Sequence, residues 1–250
     1  MQSTKLKNSI EVNGSASEKI FEAAYLAVRE KEQRIYSDEI VAQLPTLSPT
    51  HRYYNEWAKR KKSHNKLVEY IGKKGAGLSI LEVGCGNGWL SNSIATLANA
   101  KVLGIDLNKT EVEQAERVFK KNKNAIFLYS DIYSLKNRNQ KFDLIIFAAS
   151  IQYFHSLTEV FDAAKELLNP LGEIHVLDSP FYTQNELQEA ANRTKEYYLN
   201  LGFPEMASHY YQHTFSEIKN LGFKPLYSPK SLFTIFDRDR NPFYWLYYSR

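Results

Sequence analysis

Two hundred and fifty residues, 43% hydrophobic and 24% charged, are enough to bury a sizeable core without a disulfide or metal staple. An aromatic content of 14%, from 17 Tyr, 14 Phe and 3 Trp, excludes a disordered or fibrous chain, because such chains are poor in large apolar side chains. The net charge of +4 is too mild to mark a nucleic-acid binder by itself. One cysteine, Cys85, cannot close an internal disulfide, which fits a reducing compartment.

The N-terminal Met1–Lys7 stretch lacks the apolar region of a secretory signal. The longest apolar run, Leu144–Ile151, is too short to cross a bilayer. A cytoplasmic protein without a membrane partner is expected. Apolar residues at helical spacing (Ile20, Ala23, Ala24, Ala27, Val28) predict a first helix from Ser17 to about Glu30, opened by a capping box of Ser15 and Glu18. A short helix is expected over Ser37–Leu44, stopped by Pro45, and a third over Tyr53–Ile71 beyond the linker Pro45–Pro49. Together they make a helical N-terminal extension over residues 1–76, ahead of a main domain over 77–250.

After Gly75 the pattern changes to strand, turn, helix. Strands are predicted at Leu78–Val83, Lys101–Ile105, Ala125–Tyr129, Phe142–Ala148 and Glu173–Leu177. Helices are predicted at Trp89–Ala98, Thr110–Asn122, Thr158–Leu168 and Asn185–Leu201, the third under a Ser156/Glu159 cap and ending at Asn169-Pro170. A short helix capped by Thr214 and Glu217 precedes two last strands, near Lys224–Tyr227 and Phe243–Tyr248. Strands apolar on both faces and alternating with helices predict a parallel sheet covered on both sides.

Directly after the first of these strands stands Leu81-Glu82-Val83-Gly84-Cys85-Gly86-Asn87-Gly88-Trp89. Glycines at alternate positions let the backbone turn sharply and approach a ligand without Cβ interference. In a doubly wound sheet this turn lies where a nucleotide-like ligand binds. A dinucleotide fingerprint needs its third glycine where Trp89 stands, so a different ligand is indicated.

The spacing Glu82-x-Gly84-x-Gly86-x-Gly88 resembles motif I of the class I S-adenosylmethionine (SAM)-dependent methyltransferases. Asp106-Leu107 after the second strand, Asp131-Ile132 after the third, Phe142–Tyr153 along the fourth and Leu168–Leu177 around the fifth match that family in order and spacing, from about residue 78 to 250. Asp178-Ser179-Pro180-Phe181-Tyr182, with Asn-Gly-Trp-Leu-Ser in motif I, resembles a bacterial subgroup of small-molecule type. The resemblance implies a Rossmann-like α/β fold: a doubly wound, mostly parallel seven-stranded sheet with an antiparallel last strand. It also implies SAM as cofactor and S-adenosylhomocysteine (SAH) as product. By resemblance, Gly84, Cys85, Gly86 and Gly88 line the methionine portion, and Glu82 orders the loop. Asp106 holds the ribose, Leu107 packs on the adenine, and Asp131 and Ile132 read its edge. The backbone at Phe147 and Ala148 faces the methionine amino group.

Methyl transfer from a sulfonium needs mainly alignment of the acceptor, which by itself lowers barriers by roughly 7–11 kcal/mol in well-oriented cases. A base is needed only where the acceptor must lose a proton. Candidates for it are Asp178, His155 and Tyr153. Tyr53, Trp57, Gln152 and Tyr182 are candidate substrate-binding residues. His175 reads as a satisfied core histidine, and His209 with His213 lack a third ligand, so no metal is expected. Residues 51–76 carry eight Lys/Arg and two Glu, and half of the aromatics lie in the last 70 residues, which suits an anionic or aromatic acceptor. The expected function is methylation of a small-molecule or glycan-like acceptor by in-line displacement. RNA or protein methylation and non-catalytic SAM binding are the alternatives. DNA is disfavoured, because Ala148-Ala149-Ser150-Ile151 replaces the motif that cradles a flipped amino base.

Overall fold

The computed structural model describes residues 16–230 and 241–250, with side chains from residue 20 onward. The expected Ser15–Glu18 capping box lies outside these residues. Three helices open the described chain: α1 (Ala16–Lys31), α2 (Asp38–Val41) and α3 (Tyr54–Lys74). Helix α2 is capped by Ser37 and stops before Leu44, because a residue preceding proline disfavours the helical region. Helix α3 runs past Ile71 until Gly75, whose φ of 110° leaves the helix.

The strands are β1 (Ser79–Val83), β2 (Lys101–Asp106), β3 (Ala125–Tyr129), β4 (Phe142–Ala148), β5 (Leu168–Leu177), β6 (Lys224–Tyr227) and β7 (Trp245–Ser249). They form one seven-stranded sheet in the order β3-β2-β1-β4-β5-β7-β6. Strands β1 to β5 pair in parallel, and β7 lies antiparallel between β5 and β6. Between them run α4 (Trp89–Leu97), α5 (Lys109–Phe119), α6 (Leu157–Leu167), α7 (Leu187–Leu201) and α8 (Phe215–Asn220). The strand order reverses between β1 and β4, so their C-terminal ends open a crevice where such sheets bind ligands.

One boundary departs from expectation. The chain is already extended at Leu168, which pairs with Phe142, and Asn169 donates to Asp143 Oδ1 at 2.7 Å. The helix expected to reach Leu168 therefore stops at Leu167, and Asn169-Pro170 lies within β5, which starts ahead of the expected Glu173.

The period-2 alternation of the strands sorts the core into two layers. Ile80, Val102, Leu144 and Ile146 face α3, α4 and α5. Leu81, Val83, Leu103, Ile145, Phe147 and Ile174 face α6 and α8. Trp57, Leu67 and Ile71 of α3 belong to the first layer, so that part of the N-terminal extension shares the core of the sheet. Helix α1 instead builds a small separate core, Val28 against Tyr198 of α7 and Met206. No described helix is long and apolar enough to cross a membrane.

Candidate functional site

The turn after β1 is held by its own sequence. Gly84 sits at φ 79°, and a Cβ there would lie 2.5 Å from Ser150 Cβ. Ser150 Oγ in turn donates to the Val83 carbonyl at 2.6 Å, so the exit of β4 presses against the loop. Asp106, at the end of β2, accepts from the Gly86 N–H at 2.7 Å and from the Asn108 N–H at 2.8 Å. Burial raises its pKa against these backbone bonds. A carboxylate has about four acceptor sites, so two hydroxyls of a ligand can still be bound.

Two cavities meet at this turn. The smaller, about 290 Å³, is lined by Asp106, Leu107, Asp131 and Ile132, with Phe21 and Tyr25 of α1 on its other side. Asp131 Oδ1 also accepts from the Ser134 N–H at 2.6 Å, which fixes the carboxylate at the rim. The larger, about 700 Å³, is lined by Glu82, Gly84, Cys85, Gly86 and Ala148 at one end, and by Trp57, Gln152, Asp178 and Tyr182 farther out. Tyr153 and Tyr25 border both.

Glu82 is buried and accepts from Ser91 Oγ at 2.5 Å. Burial, reinforced by the charge of Asp106, pushes its pKa up to about 8. Burial also drives the Cys85 thiol well above its ordinary value, so it is no thiolate near neutrality. Asp178 leaves β5 at φ 55° and accepts from Ser63 Oγ at 2.7 Å and Asn241 Nδ2 at 2.9 Å. Gln152 Nε2 donates to the Ala149 carbonyl at 2.6 Å, while its buried Oε1 has no partner. Burial raises the Tyr153 and Tyr182 phenols, which keeps both protonated at neutral pH.

Four expected site residues are placed elsewhere. Gly88 lines neither cavity: its Cβ would meet the Phe127 ring at 2.4 Å and Ala115 Cβ at 2.6 Å, so its glycine serves close packing of α4 on β3 and α5. The Phe147 side chain points to the opposite face of the sheet, edge-on to Phe154 and Phe161, and of the two expected backbone positions Ala148 is the one that borders the larger cavity. Tyr53 donates to the Glu32 carbonyl beneath the Arg34 guanidinium, 3.9 Å from its ring centroid, and docks α3 instead of walling the pocket. His155 is exposed and packs edge-on against Tyr211 at 5.1 Å. Trp57 does line the chamber; it is buried, with Nε1 donating to Tyr36 Oη at 3.1 Å. His213 hydrogen-bonds the Phe154 carbonyl and His209 packs on Phe21. Among the described residues no cluster of His, Cys, Asp or Glu has the makings of a metal site.

The structure also brings in residues that the sequence reading passed over. Tyr25, Arg29 and Glu111 border the larger chamber. Glu111 also reads as a simple helix-start acid, since its N–H is capped by Asn108; burial, against the pull of Arg29, raises its carboxyl to about 7. Tyr197, Tyr198 and Tyr210 add an aromatic wall.

A methyltransferase-domain family profile matches residues 74–227, which is more than half of the chain and contains both cavities' loop residues. This chain is a class I SAM-dependent methyltransferase domain. The malonyl-[acyl-carrier protein] O-methyltransferase of Halalkalibacterium halodurans is 29% identical over 45% of this chain and 45% of its own length. The mitochondrial ubiquinone biosynthesis O-methyltransferase of Dictyostelium discoideum is 27% identical over 50% of this chain and 40% of its own length. The matched stretches thus span about half or less of these relatives. Among solved structures, the magnesium protoporphyrin IX methyltransferase of Synechocystis with bound SAH superposes with TM-score 0.61 at 16% identity, covering 94% of this chain and 98% of that one. The plantazolicin methyltransferase BpumL, also with SAH, gives 0.55 at 18% identity over 94% and 99%; at these identities the likeness is one of fold.

The methyltransferase's residues fit SAM. Asp106 offers acceptors to a ribose, and Leu107, Asp131 and Ile132 surround space for an adenine. Asn87, 7% exposed in the loop, keeps an unpartnered buried Oδ1 suited to an ammonium donor. Gly86, at φ 52°, keeps the loop clear of any Cβ, which would lie 3.2 Å from a Glu111 carboxylate oxygen.

Proposed function

We propose that this methyltransferase methylates a small-molecule or glycan-like acceptor bearing an O–H or N–H, held in the larger chamber and attacked in line. The observation that carries the reading is the orphaned Gln152 Oε1, buried and lining that chamber. A buried amide oxygen without a donor is costly, and an acceptor's O–H or N–H satisfies it while aiming the nucleophile. Bound in the loop, SAM supplies a methyl group already made electrophilic by its sulfonium. The protein's own contribution is then orientation by Gln152 and the tyrosine wall, and exclusion of water by α1. Where the acceptor is a hydroxyl, Asp178 is the residue positioned to take its proton. Ser63 and Asn241 fix one of its oxygens.

The charges at the chamber mouth favour this reading over an RNA substrate. Arg34 is tied to Glu56 by two bonds of 2.9 and 2.6 Å, and Arg60 lies 3.5 Å from the same carboxylate. Within the basic run Arg60, Lys73 and Lys74 are paired with Glu56, Glu69 and Glu173, which lowers the charge open to a phosphate. The curated relatives named as O-methyltransferases support a hydroxyl- or carboxyl-oxygen acceptor. A screen of metabolite extracts with isotopically labelled methyl donor is expected to label a small product in an Asp178- and Gln152-dependent way. Labelling of RNA or protein, or strong salt-sensitive RNA binding, would overturn the acceptor class. SAM binding with no labelled product from any extract would favour a non-catalytic module.

A further inference from the structure

Helix α3 turns one charged stripe toward the larger chamber. Glu56, Lys59, Arg60 and His64 stand three or four residues apart and all border it, because such positions share one face of a helix. Their neighbour in the basic run looks elsewhere: Lys61 Nζ donates to Thr46 Oγ1 at 3.0 Å. Lys59 is exposed and makes no hydrogen bond or ion pair with any described residue. Arg60 is only partly satisfied. Its Nε lies 3.5 Å from Glu56 Oε1, but the two oxygens of Glu56 already take the Arg34 fork at 2.9 and 2.6 Å. The Trp57 ring supports the Arg60 guanidinium carbon from 5.3 Å, and the terminal nitrogens bond no described residue. With Arg34, Lys59 and Arg60 set against Glu32 and Glu56, this exposed end of the chamber lacks one negative charge.

The buried side of the same chamber makes the opposite demand. Gln152 Oε1 is an acceptor with no donor. Asp178 receives Ser63 and Asn241 at Oδ1, and its Oδ2 bonds no described residue. One side calls for a proton donor and the other for an anion.

We propose that the acceptor is a hydroxy acid, its hydroxyl placed at Gln152 and Asp178 and a carboxylate elsewhere on the same molecule bound by Arg60 and Lys59. The proposal deepens the small-molecule methyltransferase reading and rests on it. A guanidinium fork matches a carboxylate with two parallel bonds, and cations at the mouth draw an anion inward. A carboxylate brings the single charge that this end lacks, whereas a phosphate ester brings about two.

The experiment incubates the full chain with isotopically labelled SAM and metabolite extracts and passes the labelled product over an anion exchanger. Methylation of the hydroxyl leaves the carboxylate intact. The product is therefore expected to be retained at neutral pH and released below about pH 2, where a carboxyl is protonated. A product that is not retained at neutral pH overturns the proposal. One still retained below about pH 2 carries a phosphate or sulfate ester instead and overturns it too. Arg60→Met is expected to raise the amount of active fraction needed for half-maximal labelling roughly 10- to 100-fold, and Lys59→Met to raise it less. Arg60→Lys, which keeps the charge but not the fork, is expected to fall between wild type and Arg60→Met. Calorimetric SAH affinity is expected to stay as in wild type, which also shows that the variants fold. Unchanged half-saturation in both Met variants, or a loss of SAH affinity equal to the loss in labelling, would overturn the proposal. Wild-type protein that binds SAH but labels nothing in any extract would sink the acceptor reading itself, a separate and recognisable outcome.

Discussion

Glu82 shows how one side chain couples the loop to pH. Its carboxyl is raised from the ordinary 4.5 to about 8 by burial and by Asp106, so the folded protein holds the proton more tightly than the unfolded chain. The resulting stability is fully present below the ordinary carboxylate pKa and is lost as pH rises through the folded value. Ligand-free wild type is expected to lose Tm as pH rises from 4.5 to about 8, and Glu82→Gln to flatten that limb. A Glu82→Gln melting curve with the same pH slope would show that another group carries it. Gly88 makes a complementary case. With its would-be Cβ against Phe127 and Ala115, Gly88→Ala is expected to destabilise by ~1–3 kcal/mol, an overpacking cost, while the folded fraction keeps its SAH affinity. Denaturant titration and SAH calorimetry of the same variant check both halves.

At the scale of elements, a polar chain ties α3 to the neighbouring strands β5 and β7 of the sheet. Tyr70 Oη and Lys74 Nζ of α3 donate to the two oxygens of Glu173 on β5, at 2.8 and 2.7 Å. Trp245 Nε1 of β7 donates to His175 Nδ1 at 3.0 Å. That bond puts the histidine's own proton on Nε2, which donates to Glu173 at 3.0 Å. Burial alone would raise Glu173, but the bonds from His175, Lys74 and Tyr70 bring it down to about 2. Such a carboxylate stabilises the fold above its ordinary pKa, and the contribution is lost as pH falls through the folded value. Glu173→Gln is therefore expected to make the acid limb of stability, between pH 4.5 and about 2, shallower than in wild type. Trp245→Phe leaves a fully buried imidazole nitrogen without its donor, at an expected cost of ~1–3 kcal/mol in urea unfolding. A loss near zero would mean that this network is not what docks α3. His175 is legible in the sequence as a core histidine because it sits inside a strand. The residues that complete the network are not, since Trp245 lies 70 residues from His175 and Tyr70 lies 103 from Glu173.

Across the whole molecule, α1 bridges the two halves of the crevice. Phe21 and Tyr25 border the smaller cavity, Tyr25 and Val28 the larger, and Val28 packs on Tyr198 and Met206 beyond it. That small core holds fewer buried residues than the two layers of the sheet, so it should open at lower free energy. SAH is expected to raise hydrogen-exchange protection of α1 and of the Pro204–His209 turn more than that of β1 to β5. Protection confined to the loops at the strand ends would refute a covering role for α1.

The sequence by itself determined the order of strands and helices, the glycine turn after β1 and the acids at the ends of β2 and β3. Each of these is written in a few consecutive residues, through apolar periodicity, glycine's access to positive φ, and strand-end position in a parallel sheet. It also carried the composition of the chamber, since the late aromatics Tyr182, Tyr197, Tyr198 and Tyr210 do line it. Only the tertiary structure decided which neighbours enter the site. Tyr53 and His155 turn away from it, Gly88 and Phe147 serve packing, and Tyr25, Arg29 and Glu111 come in from helices read as ordinary amphipathic ones. The physical reason is range: a side chain's local pattern fixes its element. The cavity it borders depends on how that helix is rotated and docked by contacts with distant segments, such as Val28 on Tyr198 or Asp178 on Ser63.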